Sequence, residues 1–142
     1  MPSRNVIKHY LPDSFYHVYN RGVEKRPIYI DDQDLVVFRS YLSTAANMHN
    51  VKICEFAYKP NHFHVLIFQK GSRDMQKMMH SVGTRYTIYF NVRYDRVGRL
   101  FQGTYKARLV NSDEDYTTVV SYIRNHIESD ADSEVKPGLT LW

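Results

Sequence analysis

Cysteine is nearly absent. Cys54 is the one cysteine in 142 residues, which excludes an internal disulfide, and with no signal-peptide pattern at the start the chain is expected in a reducing cytoplasm. Long apolar runs are missing as well: no stretch approaches the ~20 residues a membrane-spanning helix needs, so no membrane partner is expected. The chain has no internal repeat, low-complexity tract or second-domain linker. That leaves one domain over residues 1–142, with a core of about 13–128 and a tail of 129–142. A chain of this length buries roughly 70% of its unfolded-state surface without a staple. Charge of one sign does not dominate either. A net charge of +4 and a pI near 9.1 permit a polyanionic partner without demanding one.

What is present is unevenly placed. Arg85, Arg93, Arg96, Arg99, Lys106 and Arg108 share the middle of the chain with a single acid, Asp95, while acids gather at 31–34, 113–115 and 128–134. Tyr86, Tyr89, Phe90, Tyr94, Phe101 and Tyr105 are interleaved there, a mixture suited to phosphate contact and base stacking. The plainer account of Tyr86, Tyr89 and Phe90 is the buried face of a helix whose arginines face solvent. Arg21, in the turn signal Asn20-Arg21-Gly22 after a strand, could also hold a phosphate.

Aromatic and β-branched content predicts a strand at Phe15–Tyr19. Asp31-Asp32 and apolar residues at helical spacing predict a helix over 32–49. Val51–Tyr58 and 62–69, joined by Lys59-Pro60-Asn61, read as a hairpin. A second helical stripe runs between Ser72 and Tyr94, a strand from about Gly103 to Val110, and a helix over about 113–128 begins with Ser112 and three acids. Strand, helix, strand, strand, helix, strand, helix is the ferredoxin-like βαββαβ plan with an added C-terminal helix, an α+β antiparallel sheet. Helices one and two would cover one face and the added helix the other.

The run Pro60 to Phe68 carries the chemistry. His62 and His64 are two apart, so on a strand they project from one face with Leu66 and Phe68, while Phe63, Val65 and Ile67 take the other. A strand apolar on both faces is central. Seven histidines in 142 residues will sometimes fall two apart, and a buried histidine is often merely hydrogen-bonded, so the pair alone does not make a metal site. On the last helix, however, Tyr122 and His126 are four apart and share a face. With that helix over the histidine strand, His126 becomes a third imidazole for a divalent cation with open coordination positions, and Tyr122 is placed to attack a phosphodiester. A phosphotyrosine ester conserves the energy of the broken bond, so the reaction can rejoin DNA as well as cleave it.

Pro60-Asn61-His62-Phe63-His64-Val65-Leu66-Ile67 resembles the His-hydrophobic-His motif of the single-tyrosine HUH transposases, of the insertion-sequence 200/605 and REP-associated types. Phe15 to Gly22, Gly98 to Lys106 and Ser121-Tyr122-Ile123 agree with it in order, so the likeness covers roughly 13–128. The resemblance implies a ferredoxin-like fold and a divalent cation, Mg2+ or Mn2+. It implies cleavage of single-stranded DNA to a 5′-phosphotyrosine and a free 3′-hydroxyl, and recognition of a DNA hairpin at the element end. Many insertion-sequence members are dimers in which the tyrosine helix completes the partner's histidine site, while REP-associated ones can act as monomers; the sequence does not choose between them, and a homodimer is the expectation here. It makes His62 and His64 metal ligands and Tyr122 the nucleophile, with Arg21, Arg85, Arg93, Arg96, Arg99, Lys106 and Arg108 as candidate DNA contacts. The third ligand position departs from the family: relatives commonly have Gln or Asn there, and this chain reads Asn125-His126-Ile127. Asn125 is the alternative to His126 if the helix is rotated. A third imidazole would favour Mn2+, Co2+, Ni2+ or Zn2+ over Mg2+. The competing readings are a non-cleaving binder of hairpin DNA or RNA on the same fold and a metal-dependent hydrolase with a structural Tyr122.

Overall fold

The computed structural model describes residues 9–128. Strand β1 (Ser14–Arg21) is followed by a 3-10 turn (Val23–Lys25), helix α1 (Asp32–Met48), strands β2 (Val51–Lys59) and β3 (His62–Gln69), helix α2 (Asp74–Tyr94), strand β4 (Lys106–Val110) and helix α3 (Asp113–Glu128). The sheet order is β2-β3-β1-β4, and every neighbouring pair is antiparallel. This is the ferredoxin-like arrangement expected from the element order, with β3 and β1 inside and β2 and β4 at the edges.

The alternation of side chains divides the sheet into two faces. Tyr16, Val18, Phe63, Val65 and Ile67 join Leu35, Phe38 and Leu42 of α1 and Met75, Met78, Val82, Tyr86 and Phe90 of α2 in the main core. Tyr86 and Phe90 are thus core residues, as their helical spacing implied. The opposite face has a smaller core in which Val119 and Ile123 of α3 cover Ala57, Leu66 and Val110. Arg124 of α3 grips Glu55 of β2 with two nitrogens, at 3.3 and 2.8 Å.

Local chemistry sets the element ends. Helix α1 begins with a reciprocal capping box between Asp31 and Asp34. The buried Asp34 carboxylate also accepts from Ile30 N (2.8 Å), Tyr89 OH (2.7 Å), Tyr94 OH (2.6 Å) and Arg93 Nη1 (2.7 Å). The start of α1 is thereby tied to the end of α2. Burial pushes the Asp34 carboxyl up, but these hydrogen bonds outweigh it and hold the group below its usual range. The Lys59↔His62 pairing closes the hairpin around Pro60 and Asn61. At Gly22 the backbone passes so close to the Arg26 carbonyl that a Cβ would overlap its oxygen, which is why the turn after β1 takes glycine.

Strand β4 begins at Lys106 rather than near Gly103. Its last pair with β1 is Tyr19↔Lys106; past it, the Asn20 side chain, not its backbone, donates to Gly103 O, and Gln102 N donates to Arg21 O. The side chain replaces a rung of the ladder, and the segment before β4 leaves the strand.

Candidate active site

The register of the two central strands builds the site. Tyr19 of β1 stands opposite His64 of β3, and Arg21 stands opposite His62. The two histidine rings of β3 lie 5.4 Å apart, nearly perpendicular at 89°. Val119 and Ile123 seat α3 on this face, and that docking turns Tyr122 toward the imidazoles. The Tyr122 ring meets His64 edge-on at 5.5 Å and His17 at 5.8 Å. Half of its surface remains exposed (50%). Tyr122, His64 and His17 of one chain are therefore brought together, with His62 beside His64.

Hydrogen bonds organise the rings from behind. Asn61 Nδ2 donates to Lys25 O at 3.3 Å, which turns Asn61 Oδ1 toward His62 Nδ1, 2.7 Å away. A carbonyl oxygen only accepts, so Nδ1 of His62 carries the hydrogen and Nε2 carries the lone pair. That is the tautomer a metal ligand needs. His64 Nδ1 lies 3.0 Å from Nε2 of His17, a β1 residue that spacing within the sequence did not single out. Phe15, His17 and Tyr19 alternate on one strand face, but which strand they sit beside is a matter of register. His17 is buried, and its pKa is lowered to about 4 by that burial and, secondarily, by the charge of Arg108. Its imidazole is neutral at pH 7.

His126 occupies the last turn of α3, and its side chain lies outside the described residues. Asn125 is exposed. Tyr116, nearer the start of α3, packs edge-on against Phe15 at 4.9 Å in the small core.

The basic residues separate onto different surfaces. Arg21 and Lys106 line a cavity of about 720 Å³ beside the histidines, together with Tyr19, His62, His64 and Gln102. Arg99 lines a groove of about 970 Å³ along α2 with Arg73, Lys77 and His80. Arg85 lies over the Tyr41 ring at 4.6 Å. Arg93 pairs with Asp31 and Asp34, each at 2.7 Å. Arg96 donates to Asn91 Oδ1 (2.7 Å) and to Arg99 O (3.2 Å), and Arg108 stands 3.7 Å from Asp115. Of the seven candidate DNA contacts, Arg21 and Lys106 are the two that border the histidine cavity.

A ferredoxin-like antiparallel sheet that carries paired histidines beneath a tyrosine-bearing helix defines the class of the single-tyrosine transposases. The chain belongs to the IS200-like transposase family, whose family model matches residues 11–126. Among solved structures it is similar to a REP-associated tyrosine transposase bound to a REP hairpin, with a TM-score of 0.72 and 12% identity over 89% of this chain and 74% of that one. It is also similar to a candidate transposase of Deinococcus radiodurans R1, with a TM-score of 0.56 and 14% identity over 88% of this chain and 96% of that one. At these identities the two likenesses concern the fold. Comparison with curated proteins returns no match. Among the described residues, no helix is long and apolar enough to cross a membrane.

Proposed function

We propose that this transposase cleaves and rejoins single-stranded DNA through a tyrosine ester, with Tyr122 as nucleophile and His62, His64 and His126 as ligands of a divalent cation, Mg2+ or Mn2+. The observation that carries this reading is the seating of the half-exposed Tyr122 ring at the edge of His64, 5.5 Å away. A phenol so placed is open to a strand from solvent on one side and borders the His64 and His17 rings on the other. The tautomer of His62 set by Asn61 suits a metal ligand. When bound, the cation supplies Lewis acidity to a phosphate oxygen and so stabilises charge developing at phosphorus.

The protein's own part is attack and positioning. Tyr122 Oη forms a bond to phosphorus as the bond from phosphorus to the 3′ oxygen breaks. The phenolic proton passes to solvent, and the departing 3′ oxygen takes one up. The products are a 5′-phosphotyrosine and a free 3′-hydroxyl. Attack of a 3′-hydroxyl on that ester reverses the step, releases Tyr122 and joins the strand, with the number of phosphoester bonds unchanged throughout. Arg21 and Lys106 border the cavity beside His62, where they would neutralise backbone phosphates, and Tyr19 offers a ring for a base to stack on. The family and the fold shared with a hairpin-bound REP-associated transposase support a DNA hairpin as partner. This reading takes a homodimer in which α3 of each chain stays over its own sheet, as it lies in the single chain.

The reading is tested by incubating the protein with single-stranded hairpin DNA and Mn2+ and resolving the products under denaturing conditions. Wild type should give a protein–DNA adduct that survives denaturation. Tyr122→Phe should give none, a loss of at least about a thousandfold, while still binding the hairpin. Equal adduct from Tyr122→Phe, or none from wild type with a verified element end, defeats the proposal. Hairpin binding with no adduct in either protein would favour the non-cleaving binder instead.

A further inference from the structure

His17 stands outside every role assigned so far. On β1 it is paired with Leu66 of β3, and Tyr19 is paired with His64. His17 and His64 are therefore diagonal neighbours on one sheet face, a relation that long and aromatic side chains can bridge. Here the bridge is made: Nε2 of His17 lies 3.0 Å from Nδ1 of His64, with the rings 5.1 Å apart and inclined at 36°. Both side chains are buried.

A hydrogen bond between two neutral imidazoles holds one proton, so one nitrogen donates and the other accepts. Its direction decides what His64 can do. If His17 donates, Nδ1 of His64 is the acceptor, and its own hydrogen sits on Nε2, where it blocks ligation. If His64 donates, its Nε2 carries a lone pair. His62 is held in that second tautomer by Asn61, and for both rings to ligate through Nε2, His64 must be in it as well.

We infer that His17 is a positioning residue for His64: its Nε2 accepts the Nδ1 hydrogen of His64 and so holds His64 in the tautomer that can ligate a cation through Nε2. This rests on the metal-dependent reading proposed above. Ligating histidines are commonly oriented by a carboxylate, a carbonyl or water. A carboxylate at position 17 would orient the ring equally well, but it would place a negative charge next to an incoming phosphodiester. A buried neutral imidazole orients without that repulsion.

The test begins with metal-free protein carrying 15N-labelled histidine, in which long-range proton–nitrogen correlations report the tautomer of each ring. His64 should bear its hydrogen on Nδ1 and His17 should present a bare Nε2. His17→Gln puts an amide oxygen near the position of Nε2 and should keep both the His64 tautomer and Mn2+ affinity. His17→Phe keeps the ring volume without an acceptor. It should mix the tautomers of His64 and weaken Mn2+ binding by roughly 10- to 100-fold in calorimetry, the usual effect of losing an outer-shell partner. A wild-type His64 with its hydrogen on Nε2 overturns the inference, whatever the variants do. So does a folded His17→Phe that binds Mn2+ as tightly as wild type. If wild type itself binds no Mn2+, the metal reading of the site fails together with this one. Loss of affinity in His17→Phe and retention in His17→Gln support it, since a purely structural role would not distinguish the two by tautomer.

Discussion

At the scale of single residues, the proposed third ligand, His126, bears on which cation the site takes. Amide oxygen and imidazole nitrogen differ in softness: oxygen donors suit Mg2+, while nitrogen donors suit Mn2+, Co2+, Ni2+ and Zn2+. A third imidazole should therefore lean the site toward the latter ions. His126→Gln is expected to reduce the preference for Mn2+ over Mg2+ by on the order of tenfold, which is about 1.4 kcal/mol. Calorimetric titration of both proteins with both ions checks it, and an unchanged Mn2+/Mg2+ ratio would remove His126 from the ligand set.

At the scale of elements, the molecule depends on how its helices are fastened to the sheet. Helix α3 is held by Val119, Ile123 and the Arg124–Glu55 grip, and these contacts aim Tyr122. Helices α1 and α2 are fastened to each other through the buried Asp34 carboxylate, which accepts from Tyr89, Arg93 and Tyr94 of α2. A carboxyl whose folded pKa is depressed stabilises the fold above its unfolded pKa, near 3.9, and loses that contribution as pH falls through the folded value. The Asp34 shift is downward, so stability should decline as the pH is taken below about 4. Asp34→Ala should remove roughly 1–3 kcal/mol at pH 7, because it takes the shared acceptor from the Tyr89 and Tyr94 hydroxyls, while Arg93 keeps its bonds to Asp31. It should also flatten the acid limb of the stability profile. Urea midpoints between pH 2 and 7 measure both effects; an acid limb identical in the two proteins would place the acid-sensitive group elsewhere.

At the scale of the whole molecule, charge that looks continuous along the chain is distributed over separate surfaces. Arg85, Arg93 and Arg96 lie on or next to α2, where each meets an aromatic ring, an acid or a carbonyl of its own neighbourhood. Lys106 and Arg108 lie opposite Tyr19 and His17 in the β1–β4 register, on the histidine side. Removing a phosphate contact lowers affinity for every sequence and reduces the slope of log K against log salt by about 1. Arg21→Ala and Lys106→Ala should each do so for hairpin DNA with a single-stranded extension, whereas Arg93→Ala should lower thermal stability and leave the slope unchanged. Binding isotherms at several salt concentrations distinguish these outcomes. A steeper loss from Arg93 than from Arg21 would move the DNA path onto the α1–α2 side.

Much of this architecture was legible in the sequence because it follows from local periodicity. Alternation placed His62 and His64 on one face of β3, and helical spacing placed Tyr122 within α3. The order of elements specified the ferredoxin-like sheet, since short loops and antiparallel pairing leave few other ways to cover an apolar strand on both sides. Relations between elements were decided by tertiary structure alone. The diagonal between His17 and His64 depends on the register of β1 against β3. The recruitment of Arg93 by Asp31 and Asp34 depends on the packing of α1 against α2. The retreat of β4 to Lys106 depends on an Asn20 side chain reaching Gly103. Each joins residues far apart in the chain, and no period within a segment carries information about its neighbour in space.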